Sequence, residues 1–246
     1  MDQHGIWDSH IRDPIPAIAR IIMNAVKAFE RLLSGRLEPW FEKRGFARKQ
    51  RRFVKWVDRN CQVVGFRRAK GTAKGSFVFE ADLGILSAKI WNFYVRLNES
   101  GRVKAPWNYP VSPTIPRFPG PEDCHWRTSI QDPVLVPAYF NRPWSIQDEA
   151  EVQHIADEIE GVLERHALPA LDRYVRDEAL RDLWLQTPKF ILSDIQHLEF
   201  LAILLCEIGP RSELPPVLEM LRTLAREKPL VQAVVAELER ASGHGD

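Results

Sequence analysis

The sequence predicts an α+β fold: N-terminal helices packed on a four-stranded antiparallel meander, a proline-rich strap, and a C-terminal all-helical lobe. Three observations predict it. Apolar residues recur at steps of three and four towards both ends of the chain. They alternate at steps of two from about residue 51 to residue 98. Half of the 18 prolines fall between Pro106 and Pro143, a stretch too rich in proline for helix. The expected division is residues 1–144, an α+β domain whose strap spans 103–143, and residues 145–246, an acidic helical lobe.

After Pro14 the stripe Ile15, Ile18, Ile22, Val26, Phe29 and Leu33 predicts one amphipathic helix, which Ser34-Gly35 is expected to end. A short helix with Leu37, Trp40 and Phe41 follows, and Gly45 stands where a left-handed cap would close it. Arg51 to Val57, Cys61 to Arg68, Ser76 to Ile85 and Ile90 to Asn98 read as the four strands, separated by turn-forming stretches, notably Asp58-Arg59-Asn60 and Gly71 to Gly75. One face of the last two would carry Phe77, Phe79, Ala81 and Leu83 beside Trp91, Phe93, Val95 and Leu97, the other Glu80, Asp82, Asn92 and Arg96.

Pro110, Pro113, Pro116 and Pro119 are spaced by three, the repeat of a polyproline II helix, and a short extended stretch is expected around Trp126 to Val136. Such a segment suits an aromatic groove in a partner. A strap over its own domain is the favoured reading, because Trp107, Tyr109 and Phe118 want burial. Ser145-Ile146-Gln147-Asp148 resembles a capping box, ahead of a helix with Val152, Ile155, Ile159 and Val162 that runs to about His166. Pro169 is expected to open another helix and Asp177 to cap a third carrying Leu180, Leu183 and Trp184. Three more follow, at about 194–208, 215–226 and 229–241.

The 246 residues carry 34 Lys and Arg against 33 Asp and Glu, a net charge of +1. That total conceals a split. Residues 1–144 hold 24 basic and 13 acidic side chains, +11, and residues 145–246 hold 10 and 20, −10. Cys61, Cys124 and Cys206 form no Cys-x-x-Cys pair, so a reducing, cytoplasmic setting is expected rather than a disulfide framework or a zinc site. The start of the chain lacks the pattern of a secretory signal, and the longest apolar run, Phe200 to Cys206, is far short of a membrane span.

The sharpest local feature is the run from Lys43 to Lys74, twelve basic residues against Asp58 alone, interleaved with Phe46, Phe53, Trp56 and Phe66. Arg48, Lys49, Arg51, Arg52, Lys55, Arg67 and Arg68 are the candidate partner- or phosphate-binding surface. Strand alternation divides them between two faces, and solvated hairpin residues neutralised by the acidic lobe are the plainer reading. Asp123-Cys124-His125 suggests a nucleophile beside a base. Neighbours on an extended chain point apart, however, so a packed structural role is expected for His125. His154 and Glu158 lie four apart on one helix face and His166 closes it, without a defined third ligand. Gly71-Thr72-Ala73-Lys74-Gly75 lacks the spacing of a phosphate-binding loop. No catalytic residue, metal site or cofactor is assigned.

The stretch Leu37-Glu38-Pro39-Trp40-Phe41-Glu42-Lys43-Arg44-Gly45-Phe46, then Arg51-Arg52-Phe53 and Phe79-Glu80-Ala81-Asp82-Leu83-Gly84, resembles the bacterial domain-of-unknown-function 4304 family. Cys124-His125-Trp126-Arg127, Trp144 and Leu168-Pro169-Ala170-Leu171 extend the resemblance over about residues 10–185. It implies a cytoplasmic bacterial α+β protein and transfers no reaction. The function expected is therefore a non-enzymatic protein-binding or adaptor module, in a toxin-neutralising or defence-accessory role by analogy, with a protein of acidic character as partner. A nucleic-acid-binding module using residues 43–74 is the alternative, and an enzyme built around His125 the second. No membrane partner is expected.

Overall fold

The computed structural model describes residues 17–69, 75–101, 112–132, 142–186, 194–224, 226 and 228–243. The Gly71 to Lys74 turn, the Trp107 to Pro110 part of the proline segment and the run from Pro133 towards Val136 lie outside the described residues. The fold is α+β, with N-terminal helix, antiparallel meander sheet and C-terminal helical region.

Four strands run in chain order as an antiparallel meander: β1 (Ala47–Lys49), β2 (Arg52–Val57), β3 (Asn60–Arg68) and β4 (Phe77–Leu86). Strands β2 to β4 match the alternating runs of the sequence. The fourth member is the short β1, not residues 90–98. Ser87 places its hydroxyl on the Ile90 amide and starts a helix, α3 (Ala88–Glu99). Ile90, Trp91, Phe93, Tyr94 and Leu97 are buried, a helical spacing that also fits alternation in part; the serine cap and the tertiary packing select helix. Two strands from later in the chain complete the sheet. β5 (Trp126–Ser129) and β6 (Trp144–Ile146) both pair with the far edge of β4, at Asp82–Ile85 and Phe77–Phe79 respectively.

The inner sheet face is aromatic. Phe53, Phe66, Phe77 and Phe79 are buried beside Ala81, Leu83 and Ile85. α1 (Ala17–Arg31) lays Phe29 on Phe77 and Phe79, with ring centroids 4.4 and 4.7 Å apart. Ser34-Gly35 does not end the helix. Residues Leu32–Leu37 form a wider π turn, and the chain continues into α2 (Glu38–Glu42), where Phe41 stacks on Phe53 at 4.1 Å. The reason is Pro39. A proline inside a helix lacks an amide donor and clashes with a carbonyl one turn back, and a π turn just upstream moves that carbonyl aside. The Glu38 amide accordingly reaches back five residues to the Leu33 carbonyl.

The same device recurs later. α4 (Val152–Val162) passes through a π turn at Leu163–Ala167 into α5 (Leu168–Tyr174), and the Leu168 amide bonds the Leu163 carbonyl. Pro169 therefore sits within a continued helix rather than at the start of a new one. Phe29, Leu33, Pro39 and Phe41 correspond to Ile159, Leu163, Pro169 and Leu171 at a constant offset of 130 residues (169 less 39). Ion pairs join the two helical arms, from Arg31 to Glu149 (3.0 Å), Arg36 to Asp157 (3.6 Å) and Arg44 to Glu164 (3.0 Å). Both sets of numbers rise together, so the arms run side by side in one direction. Their N-terminal capping differs from the sequence expectation. Ser145 and Ile146 belong to β6, and Asp148 caps the 3₁₀ turn Glu149–Glu151 through the Ala150 amide (2.8 Å).

On the outer sheet face, residues 112–124 form the strap, which covers one end. Ile115, Phe118 and Cys124 close over Val54, Cys61, Val63, Leu86 and Trp91, and the Trp56 indole donates to the Arg117 carbonyl (3.2 Å). The approach is close enough to require glycine. A Cβ at Gly65 would lie 2.6 Å from Pro121, and one at Gly84 would lie 2.5 Å from the Cys124 sulfur.

The C-terminal helices are α6 (Asp177–Gln186), α7 (Asp194–Ile208), α8 (Leu214–Leu224) and α9 (Pro229–Ser242). Phe200 to Leu205 are buried on every side of α7, as expected of a helix enclosed by others. No helix among the described residues is long and apolar enough to cross a membrane. The glycine contacts make a prediction: Gly84→Ala drives a methyl group into Cys124 and costs about 1–3 kcal/mol of stability in urea unfolding.

Candidate functional site

Two places draw the residues flagged by sequence: a sealed polar knot around His125 and an open, arginine-walled cleft on the outer sheet face. The knot is built first by the chain turns. Asn60 begins β3, Ser87 caps α3, Asp177 begins α6, and all three are buried with His125. The Asp177 carboxylate accepts from the Ser87 hydroxyl (2.6 Å) and the Asn60 amide (3.0 Å). Asn60 also donates to the Val175 carbonyl (2.7 Å) and accepts from the Ala88 amide (2.9 Å). Asp177 thus ties sheet, α3 and helical lobe together instead of capping its own helix.

His125 accepts the Ser87 amide at Nδ1 (3.0 Å), which leaves the proton of the neutral ring on Nε2. The ring lies edge-on to Phe200 at 5.1 Å and is 1% exposed. Burial pushes its pKa down to about 3. Cys124, its neighbour, points to the opposite side under the strap, and burial raises its thiol well above the ordinary range. Asp123 accepts the Gly120 amide (2.7 Å). The three adjacent groups therefore hold three separate structural positions. On the helix that carries His154, Glu158 accepts the Trp144 indole (3.1 Å), and no group of three or more His, Cys, Asp or Glu among the described residues is placed to hold a metal.

The cleft has a volume of about 910 Å³. Strand alternation brings Arg52, Gly65, Arg67 and Asp82 to one face, and the register of Gly84 opposite Arg127 adds β5 to it. Arg51 and Glu30 form one end; Pro121 and Glu122 of the strap form the rim. Of the seven sequence candidates, Arg51, Arg52 and Arg67 line it. Arg51 holds Glu30 (2.9 Å) and lies over the Phe29 and Phe77 rings. Arg52 meets Glu122 at 2.5 Å, and Arg67 is held by Asp82 (2.5 Å) and Glu80.

The other four lie elsewhere. Arg48 is withdrawn, its side chain 12% exposed, onto Glu38 (2.7 Å) and the Gln50 carbonyl (2.6 Å). Lys49 reaches over Phe118 of the strap, Lys55 faces Asp172 (3.8 Å) of α5, and Arg68 lies over Phe77. The acidic lobe reaches the basic run through Glu164 on Arg44 and Asp172 on Lys55, and Asp177 reaches Asn60 in the knot. Arg127 is the residue that sequence reasoning missed. Its side chain makes no ion pair or hydrogen bond among the described residues. Its signal, an arginine between two strand residues facing inward, acquires meaning only once β5 is known to lie beside β4.

Two buried groups set opposed pH dependences. Glu199 on α7 accepts from the Tyr94 hydroxyl (3.3 Å), and burial raises its pKa from 4.5 to about 7. Folded Glu199 keeps a proton that the unfolded chain has lost, so its contribution falls as pH rises from 4.5 to about 7. Neutral His125 acts oppositely: the unfolded chain takes up a proton below its ordinary 6.5, and stability falls as pH drops from there towards 3. Glu199→Gln is therefore expected to gain stability over the parent in urea unfolding at about pH 8 and to lose that advantage towards pH 4.5.

Comparison of the chain with protein-family models, with curated proteins and with solved structures finds no match to any of them.

Proposed function

We propose that this chain is a non-enzymatic protein-binding module that takes a carboxylate-bearing segment of a partner protein into the Arg51, Arg52, Arg67 and Arg127 cleft. The observation that carries this reading is Arg127, a guanidinium in the wall with no partner among the described residues, beside three arginines held by partly exposed carboxylates. Arginine forks suit carboxylates, which they bind through two parallel hydrogen bonds.

Charge favours a protein over a nucleic acid. The cleft sets four arginines against Glu30, Asp82 and Glu122. A phosphate backbone carries one sign throughout and would meet these carboxylates along with the arginines. A peptide of mixed charge can satisfy both. The hydroxyls in the cleft also favour binding over catalysis: Thr128 donates to Asp132 (3.0 Å) and Ser129 to Gln131 (2.8 Å), and neither has a histidine beside it among the described residues. We propose in addition kinship with the domain-of-unknown-function 4304 family. It is supported by the structural positions of its motif residues, Gly45 ending α2 at a φ of 82° and Gly84 admitting Cys124.

The test is fluorescence anisotropy with a labelled peptide of alternating Glu and Gly and with a single-stranded oligonucleotide of similar length, over a salt series. The peptide is expected to bind, and Arg127→Ala to weaken it about tenfold, the worth of one charge-assisted hydrogen-bonded pair. Tighter binding of the oligonucleotide with a steep salt dependence would replace this reading with the nucleic-acid one.

A further inference from the structure

Arg52 and Glu122 differ from the other charged pairs of the cleft. Arg51 is held by one carboxylate and two aromatic rings, and Arg67 by two carboxylates. Arg52 has Glu122 as its one ion-pair partner among the described residues, and the two side chains are 39% and 59% exposed. Exposed pairs of this kind contribute little net stability, so a competing carboxylate can replace one at small cost.

Glu122 also comes from a distinct piece of structure. It lies in the 3₁₀ turn Pro121–Asp123 of the strap, seated where Pro121 meets Gly65 on the cleft floor. The rest of the strap is held independently, by Cys124 and Phe118 in the outer apolar cluster. Loss of the Arg52 contact would free the rim without undoing the strap.

We propose that Glu122 is a resident stand-in for a ligand carboxylate, so that partner binding is an exchange in which an incoming carboxylate takes Arg52 and releases the Pro121–Asp123 turn. The inference rests on the cleft reading above. It adds a specificity: the ligand needs two carboxylates, one for Arg127 and one to displace Glu122. A ligand with a single carboxylate is met by Arg127 and leaves the turn in place.

The experiment measures anisotropy of the labelled Glu-Gly peptide with the parent chain, Glu122→Gln and Glu149→Gln, together with amide hydrogen exchange at Asp123 and Cys124. Glu122→Gln removes the competitor and is expected to tighten binding about two- to fivefold, within the range open to an exposed ion pair. Glu149→Gln removes the same charge outside the cleft, at the Arg31 pair, and is expected to match the parent. Peptide binding should speed Asp123 and Cys124 exchange in the parent and leave it unchanged in Glu122→Gln, where the turn is already released. Parent binding without a gain in Glu122→Gln overturns the exchange alone, as does an equal gain in Glu149→Gln or slowed exchange at the turn. Failure of both parent and Glu122→Gln to bind overturns the cleft reading and the exchange with it.

Discussion

The stacking of two helical arms on one aromatic sheet face is the constraint from which the remaining structure follows. Phe29 and Phe41 must both reach the sheet, on Phe77 and Phe79 at one end and Phe53 at the other. A straight helix broken at Ser34-Gly35 would seat one and lose the other. The π turn keeps the rod continuous past Pro39 and preserves both contacts, and the second arm does the same past Pro169. Each fully buried aromatic of this kind is worth about 3–5 kcal/mol against alanine, so the arrangement outweighs the poorer hydrogen bonding of two π turns.

With the inner face filled, the outer face is left to be shared. The strap takes the apolar end, over Val54, Val63 and Leu86, and it can lie there because Gly65 and Gly84 offer no side chain to hold it off. The other end keeps its charged residues in the open cleft. Division of one sheet face into a covered and an uncovered half is what places Glu122 on the rim and Arg127 in the wall.

Charge in this protein works at two levels. Among the described residues, five ion pairs join the basic N-terminal part to the acidic C-terminal part, from Arg31, Arg36, Arg44, Lys55 and Arg96 to Glu149, Asp157, Glu164, Asp172 and Glu207. Most of these side chains are well exposed, so they align the parts more than they stabilise them. The knot of Asn60, Ser87, Asp177 and His125 is the buried counterpart. The bonds among Asn60, Ser87, Ala88, His125 and Asp177 cross between elements distant in the chain, and breaking one would strand a desolvated polar group.

The amino-acid sequence by itself determined the α+β class, strands β2 to β4, the positions of most helices and the opposed charges of the two parts, because each is written in local period and composition. It misled where two periods fit one stretch: Trp91, Phe93, Val95 and Leu97 alternate, yet Ser87 and the packing of α3 on α7 make that stretch helical. Arg51, Arg52 and Arg67 could be named from the basic run. Arg48 and Lys55 belonged to the same run and went to structural carboxylates, since which acid lies nearby depends on residues such as Glu38 and Asp172. Only the tertiary structure decided that Arg127 joins the cleft, that Asp177 reaches Ser87 and that Glu122 closes on Arg52. Each of these depends on a sheet register or a strap position set by contacts far apart in the chain, and no local pattern encodes a distance between strands that have yet to pair.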